Sequence, residues 1–594
     1  MRPERVERNL LVLGVLALVA WTWACLWFPL TDSDIWWHLT SGKWIWHNKT
    51  WPKTDLFSLG SLGERWIDLH WGFQLWAFGL WKLGGNGAIL AGKCIVMVVA
   101  LVFCLRPYLR GRVGFALLFL AAFGIYQTRL FLDARPLVLT ILILSIQYFI
   151  LVSHFQGRIA RPWLILVPLQ ILLVNVQGLY PLGAVLFSSL AMGQVLENLR
   201  TKKNLKPQNV VVNKSLILTG IFMWMSGLIN PYGLAGLTLP VSLLGRINPI
   251  AANIFSKEIA ENEPFFQYAQ SQPGHALPWI LFILIVIYTF WVNSRRNRIG
   301  HGTVFFGFTL LGLMAIRNLP LVFFAGLISM GHNLNSALNS EMVPGVLKRD
   351  HLLVTFLARG GGYGCFLAVL LFYGPDVAHA WRYEIPGSLE TPFRFPTGSA
   401  DFLEKHPIDG TLFNELRGGG YLEFRLYPQK LAFVDGRMIL RTAEFYRAFL
   451  EVVDHPEGFG RYREQYGLTH AVLPISEDKR FLPLAAFILG HERWDLLQCD
   501  GASVLLVKKG SLPDLALPMD SSSSIISVKL QIHDRFGKNI RLEKIALRNM
   551  SEFLNASGYT LAADEFLKQS DNVRVQALGN QLALSSFDLY RPQY

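Results

Sequence analysis

"NLLVLGVLALVAWTWACLWFPLTDSDIWWH", residues 9 to 38, joins two things that seldom adjoin. Its first twenty residues are apolar enough to span a bilayer; in the next ten, two aspartates, two tryptophans and a histidine fall within seven positions. The apolar part follows the basic leader "MRPERVER" and in that respect resembles a signal peptide, yet no small-residue cleavage site follows it. It reads as a retained membrane helix, with Asp32 and Asp34 placed just beyond its end.

Outward from there, further apolar runs lie near 87–105, 113–128, 136–154, 163–178, 181–198, 214–232, 277–293, 302–316, 319–334 and 351–373, about eleven spans in all. With 52% hydrophobic and 16% charged residues, the chain is too apolar for a soluble protein of 594 residues. The fold class is a polytopic α-helical membrane protein. Several runs are only about 16 residues long, so a perpendicular crossing is tight for them. The segment "WGFQLWAFGLWKLGG" (71–85) is too short and too tryptophan-rich to cross, and is expected at the interface or re-entering.

Orientation has an independent test, because Lys and Arg gather in cytoplasmic loops. With the N-terminus cytoplasmic, the inner loops are 106–112, 154–162, 199–206, 293–302 and 346–351, and all five are basic. The loop after the first helix then lies outside, as does everything beyond about 374. Much of the +13 net charge sits in these loops, which assigns it to topology and anionic lipid and not to nucleic acid. Of five cysteines only Cys499 falls in the outer part, so no disulfide framework is expected there.

The chain divides at about 374, where hydropathy drops and Gly, Pro and charged residues rise. Residues 1–374 form the membrane domain with a first outer loop at 29–86; 375–515 an outer α/β domain; 516–594 a linker and helical tail. "TLFNELRGGGYLEFRLYPQKLAFVDGRM" (411–438) reads as short strands alternating with Gly turns, "RTAEFYRAFLEVVDHPEGFGRYREQYG" as helix, and "THAVLPIS" and "SVLLVKKG" as strands. The run "DSSSS" (520–524) reads as a linker ahead of a helical piece at 541–569.

Asp32 and Asp34 have a plain reading as a helix cap in a solvated loop. What raises a functional reading is company. The outer loops also supply Glu64, Asp68 and His70; Arg129, Asp133 and Arg135; Asn175 and Gln177; Asn230; Glu258, Glu261 and Glu263; and Arg317. The two faces of the membrane therefore differ chemically, basic inside and mixed carboxylate, guanidinium and amide outside.

An Asp-x-Asp pair in the first outer loop, Asp32-Ser33-Asp34, followed by many spans and an outer α/β domain, resembles the GT-C class of integral-membrane glycosyltransferases. That class includes the oligosaccharyltransferase catalytic subunit, protein O-mannosyltransferases and the lipid A aminoarabinose transferase. More closely, "DSDIWWHLTSGKWIW", "WIDLHW", "RPLVLTILIL", "NVQGLYPLG", "INPYG", "IRNLPLVFF" and "GTLFNELRGGGYLEFRLYPQKLAFVDGR", in that order over about 30 to 510, look like a bacterial group of uncharacterised GT-C-like proteins. The resemblance implies transfer of a sugar from a polyprenyl-phosphate-linked donor to a glycan, lipid or protein acceptor on the outer face of a bacterial inner membrane.

That chemistry needs a carboxylate base to take the acceptor's proton and fixed cations to hold the phosphate leaving group. Asp34 is the first choice as base and Asp32 the second; Arg135 and Arg317, with Arg129 and His38 behind them, are the phosphate-binding candidates. Trp36, Trp37, Glu64, Asp68 and His70 are candidates for acceptor or sugar binding, the indoles because pyranose CH groups pack on aromatic faces. Oligosaccharyltransferase carries a second acidic element that helps hold a metal. Here Asp133 stands alone before "ARP", so the match is partial; oxygen ligands from Asp32, Asp34 and Asp133 would suit Mn²⁺ or Mg²⁺.

Each candidate has a structural alternative. Arg135 and Arg317 sit at span ends, where snorkelling to headgroups explains an arginine. The glycines of "RGGGYLEF" lack a Walker lysine and Rossmann spacing, which favours a tight turn between strands. Asp435 and Arg437 read as a turn and salt bridge. Trp36, Trp37, Trp44, Trp46, Trp51, Trp66, Trp71, Trp76 and Trp81 read mainly as an interfacial belt. Two rival functions remain: a transporter or flippase of a lipid-linked substrate, for which no inverted repeat is visible, and a non-catalytic envelope-assembly scaffold.

Overall fold

The computed structural model describes residues 3–109, 112–202, 214–246, 254, 260–293, 298–338, 361–381, 389–476, 479–492 and 494–572. The chain divides into two compact units. The first comprises Met1–Phe28, Leu69–Phe73 and Leu83–Ala378; the second comprises Pro29–Asp68, Gln74–Lys82 and His379–Tyr594. Most of the first outer loop, assigned from sequence to the membrane domain, thus belongs with the C-terminal part.

The first unit is helical, and the chain is a multi-pass membrane protein. Among the described residues five helices are long and apolar enough to cross a membrane: Arg5–Leu26, Trp71–Leu105, Val113–Phe131, Pro136–Phe155 and Pro273–Val292. Six shorter apolar helices accompany them, which include Trp163–Val174, Lys214–Leu228 and Ile299–Met314. Prolines mark several starts, Pro136 and Pro273 among them, because a first-turn proline loses no hydrogen bond. The expected span at 163–178 stops at Val174, and Leu234–Arg246 forms a helix that hydropathy did not indicate. Residues 351–360 of the expected last span, and all of the basic loop 346–351, lie outside the described residues.

The segment 71–85 is not a separate interfacial piece. It opens the long Trp71–Leu105 helix, which breaks at Gly84 and Gly85. Gly85 has φ 59°, a backbone conformation that costs a side-chain-bearing residue, and a Cβ there would meet nothing within 4 Å. Backbone freedom and not crowding is what this glycine supplies. Several buried polar groups inside the unit are paired: Tyr108 to Tyr148 at 2.5 Å, Tyr148 to His301 at 3.1 Å, and Asn293 to Asn333 at 2.8 Å.

The second unit carries a four-stranded sheet of β1 (Thr411–Asn414), β2 (Leu468–Pro474), β3 (Asp495–Cys499) and β4 (Ser503–Val507), in the order β1-β2-β4-β3. β1 and β2 are parallel and the other pairs antiparallel. Helices Ala443–Asp454 and Phe459–Tyr466 follow the expected helical stretch. The serine run is not a linker: Ser521 precedes a helix, Ser522–Phe536, as suits a residue favoured at helix starts. Helices Ile540–Ala556 and Thr560–Asn572 complete the described tail.

The larger correction concerns 411–438, of which only Thr411–Asn414 is a strand. "LRGGGYLEFRL" is a helix, Leu416–Leu426. Three glycines in its first turns cost about 1 kcal/mol each against alanine. The Glu415 side chain offsets part of this by accepting the Arg417 and Gly418 amides as an N-cap. Close approach supplies the rest: a Cβ on Gly419 would lie 1.8 Å from the Val434 carbonyl oxygen. Nor is "FVDGR" the end of a sheet strand. It pairs with the first outer loop, Leu59 N donating to Ala432 O at 2.8 Å and Gly60 N to Phe433 O at 3.0 Å.

Candidate active site

Asp34 opens the helix Asp34–Asn48 and is half-buried; Asp32 is buried. The Asp34 amide donates to Asp32 Oδ1 at 3.1 Å, and the Trp37 indole donates to Asp34 Oδ1 at 3.1 Å. A carboxylate in the first turn of a helix is favoured by the unpaired amides there. The helix beneath it is gripped from one side by the Leu416–Leu426 helix: a Cβ on Gly420 would lie 3.2 Å from Trp37 N and 3.3 Å from Ser33 O. The two aspartates singled out from sequence are therefore fixed, hydrogen-bonded groups.

Next to them lies an ionic cluster that sequence reading largely missed. Arg437 holds Asp435 with Nε at 2.9 Å from Oδ1 and Nη2 at 2.8 Å from Oδ2, and reaches Asp55 Oδ1 with Nη1 at 2.7 Å. Arg441 donates to Asp435 at 3.1 Å and to Ser58 at 2.7 Å. Ser58 and Ser61 donate to Asp55 Oδ2 at 2.7 and 2.5 Å. Glu423 Oε1 accepts from Arg437 at 3.3 Å. All the charged members are buried, and the expected Asp435–Arg437 salt bridge is its centre.

Burial raises the Glu423 and Asp435 carboxyls, and their partners then separate them. Burial and the neighbouring Asp435 charge push the Glu423 carboxyl far above its ordinary range. For Asp435 burial is outweighed by Arg437 and Arg441, which hold it well below the usual carboxylate range. Glu423 is thus the protonated partner. Its Oε2 has no hydrogen-bond partner in the structure.

A raised acid pKa contributes stability that is complete below the unfolded value and is lost as pH climbs toward the folded one. The second unit should therefore weaken with rising pH above the ordinary glutamate range, by up to about 1.4 kcal/mol per pH unit from this group. Glu423→Gln, neutral throughout, should flatten that slope in thermal unfolding of the full-length chain between about pH 5 and 8. Parallel slopes for the two proteins would refute the protonated assignment.

The loop groups of the first unit are also engaged. Arg135 forms a fork with Glu261, at 2.5 and 2.6 Å, with both side chains partly exposed. Arg129 donates to Asp376 at 2.9 Å and to the Tyr126 carbonyl at 2.8 Å, and its guanidinium lies 3.7 Å from the centre of the Tyr126 ring. This clasp, and not an open cation, is what the structure gives for Arg129. Arg317 is half-buried in a short turn, Ile316–Asn318. Asp133 Oδ1 accepts the Ala134 amide at 2.7 Å and lies 3.8 Å from the Nζ of Lys93, which is fully buried beside Phe28. Burial raises the Glu263 carboxyl.

The sugar-binding candidates divide. Trp36 is 1% exposed, with the rings of Tyr421, Phe395 and Phe424 at 4.8, 5.4 and 5.7 Å. Trp37 packs with Phe57 and Trp66 in a buried cluster. Both are core residues, which corrects their reading as belt residues or stacking platforms. The glycine-lined contact with the Leu416–Leu426 helix is what covers Trp36. Asp68 is buried and accepts the Gln74 amide at 2.7 Å. His38 is buried against Trp37, Glu64 is exposed, and His70 is half-buried ahead of the Trp71–Leu105 helix.

Among the described residues no group of three His, Cys, Asp or Glu side chains is placed to hold a metal ion. Asp32 and Asp133 each accept a backbone amide of the chain through Oδ1. Two missed residues had a signal in the sequence. Lys93 is a lone charge inside "AILAGKCIVMVV", where a cation is expensive unless partnered. Glu423 is a lone carboxylate in the apolar stretch "YLEF". Asp55 had none beyond its place in the loop.

No protein-family model and no curated protein matches the chain. Solved structures that it resembles include GT-C glycosyltransferases. One is the archaeal oligosaccharyltransferase AglB from Archaeoglobus fulgidus, in complex with an inhibitory peptide and a dolichol-phosphate: 12% identity, TM-score 0.47, covering 85% of this chain and 74% of that one. A second is the arabinofuranosyltransferase AftD from Mycobacteria, at 12% identity and TM-score 0.46 over 84% of this chain and 40% of that one. A third is ArnT from Cupriavidus metallidurans bound to undecaprenyl phosphate, at 13% identity and TM-score 0.43 over 84% and 98%.

Proposed function

We propose that this chain is a membrane glycosyltransferase of hexosyltransferase type. It moves a sugar from a polyprenyl-phosphate-linked donor to a glycan, lipid or protein acceptor on the outer face of a bacterial inner membrane. The observation that supports it best is the Asp34 carboxylate. It is polar, partly accessible and held by the Trp37 indole donor.

In the reaction the acceptor hydroxyl oxygen attacks the anomeric carbon, and its proton passes to Asp34 with Asp32 orienting the helix start. The bond from the anomeric carbon to the phosphate oxygen breaks, and its electron pair leaves with the polyprenyl phosphate. Arg135 and Arg317 neutralise that charge, with Arg129 and His38 in reserve. Glu261 presents to Arg135 the paired oxygens that a phosphate would present, so ligand exchange at one guanidinium fork is sufficient. No step is routed through a metal; turnover in the presence of a chelator decides whether Mn²⁺ or Mg²⁺ takes part.

The test is transfer of labelled sugar from a panel of polyprenyl-phosphate sugars by the full-length protein in liposomes. Turnover with at least one donor is expected. Donor movement between leaflets without transfer would favour the transporter or flippase reading, and neither would favour the assembly scaffold.

A further inference from the structure

We infer that the turn Asp435-Gly436-Arg437 is a positioning device for the Asp34 carboxylate; this rests on the reading of Asp34 as base. Two stretches about 400 residues apart in sequence meet here. A Cβ added to Gly436 would lie 2.4 Å from Asp34 Oδ1, 3.6 Å from its Cγ and 3.8 Å from Trp37 Cδ1. The three nearest atoms thus belong to the acid or to its indole donor. Gly436 does not lie in the left-handed region, so its backbone would accept any residue. Space for the carboxylate is what requires glycine.

The turn cannot retreat. Asp435 and Arg437 flank Gly436 and are pinned in the buried ionic cluster. Arg437 N donates to Asp435 Oδ1 at 2.6 Å, and Met438 N to the Gly436 carbonyl at 2.8 Å. From the other side Gly420 closes on Ser33 and Trp37. Oδ1 is therefore held between the Trp37 N–H and a rigid glycine wall, which fixes the carboxylate's rotamer. A general base needs that fixity, because its proton transfer demands direct hydrogen-bond reach, and a misplacement of about 1 Å costs about 100-fold.

The experiment compares Gly436→Ala with wild type in the full-length protein. The added methyl should displace the carboxylate, so kcat should fall about 100-fold with KM for the lipid donor within about twofold. Thermal unfolding separates this from general damage. Gly436→Ala should lower Tm by about 2–4 °C when Asp34 is present, and far less on an Asp34→Ala background, where the clash is gone. Unchanged kcat in Gly436→Ala, or an equal Tm loss on both backgrounds, would overturn the inference. Absence of turnover in wild type would instead overturn the transferase reading. The Tm comparison still reports the contact in that case, so the two failures are distinct.

Discussion

Asp34→Asn should abolish transfer while leaving the chain inserted and folded, with turnover reduced by about 10²–10⁴-fold, the range a positioned base contributes. The substitution is nearly isosteric. Its amide oxygen can still accept the Trp37 indole proton, and it adds no atom toward Gly436. What it loses is basicity. KM for the lipid donor should change little, since the acid takes part in proton removal and not in holding the carrier. Asp32→Asn should cost less, because Asp32 acts through the Asp34 amide. Assay of both variants with the donor that wild type accepts is decisive: full turnover by Asp34→Asn removes it as the base.

The second large effect is on stability. Arg437→Met should destabilise the second unit by about 3–5 kcal/mol, the cost of removing one partner from a buried ion pair. The size follows from what is left behind, since Asp55 and Asp435 would remain buried with one guanidinium fewer. An internal comparison is available at Arg480, whose pair with Asp454 at 2.6 Å is well exposed on both sides. Arg480→Met should cost less than about 1 kcal/mol. Thermal unfolding of the full-length proteins in the same detergent should rank them clearly. Equal losses would mean that the buried cluster contributes no more than a surface pair.

These two effects differ in how far the sequence announced them. The membrane class was legible, because a run of twenty apolar residues has few other uses. Asp34 was legible as a candidate because a carboxylate pair beside a membrane helix is chemically conspicuous. The ionic cluster was not. Asp55, Glu423 and Arg437 come from separate segments, and nothing local tells a buried carboxylate from a solvated one. The same holds for Arg135, whose partner Glu261 is 126 residues distant. The glycine-rich stretch misled for a different reason. Glycine signals a turn when its backbone freedom is used, but Gly419 and Gly420 are used for clearance inside a helix, and that need exists only once the facing segments are present. Trp36 and Trp37 read as interfacial because tryptophan composition reports amphipathic preference, not which faces the fold later covers.

The Glu415 cap has a bearing on anion binding. The start of a helix is a ready seat for an anion such as a phosphate. Here the chain fills that anionic seat with its own carboxylate, which binds both leading amides. A phosphate group at this helix start would have to compete with a tethered carboxylate.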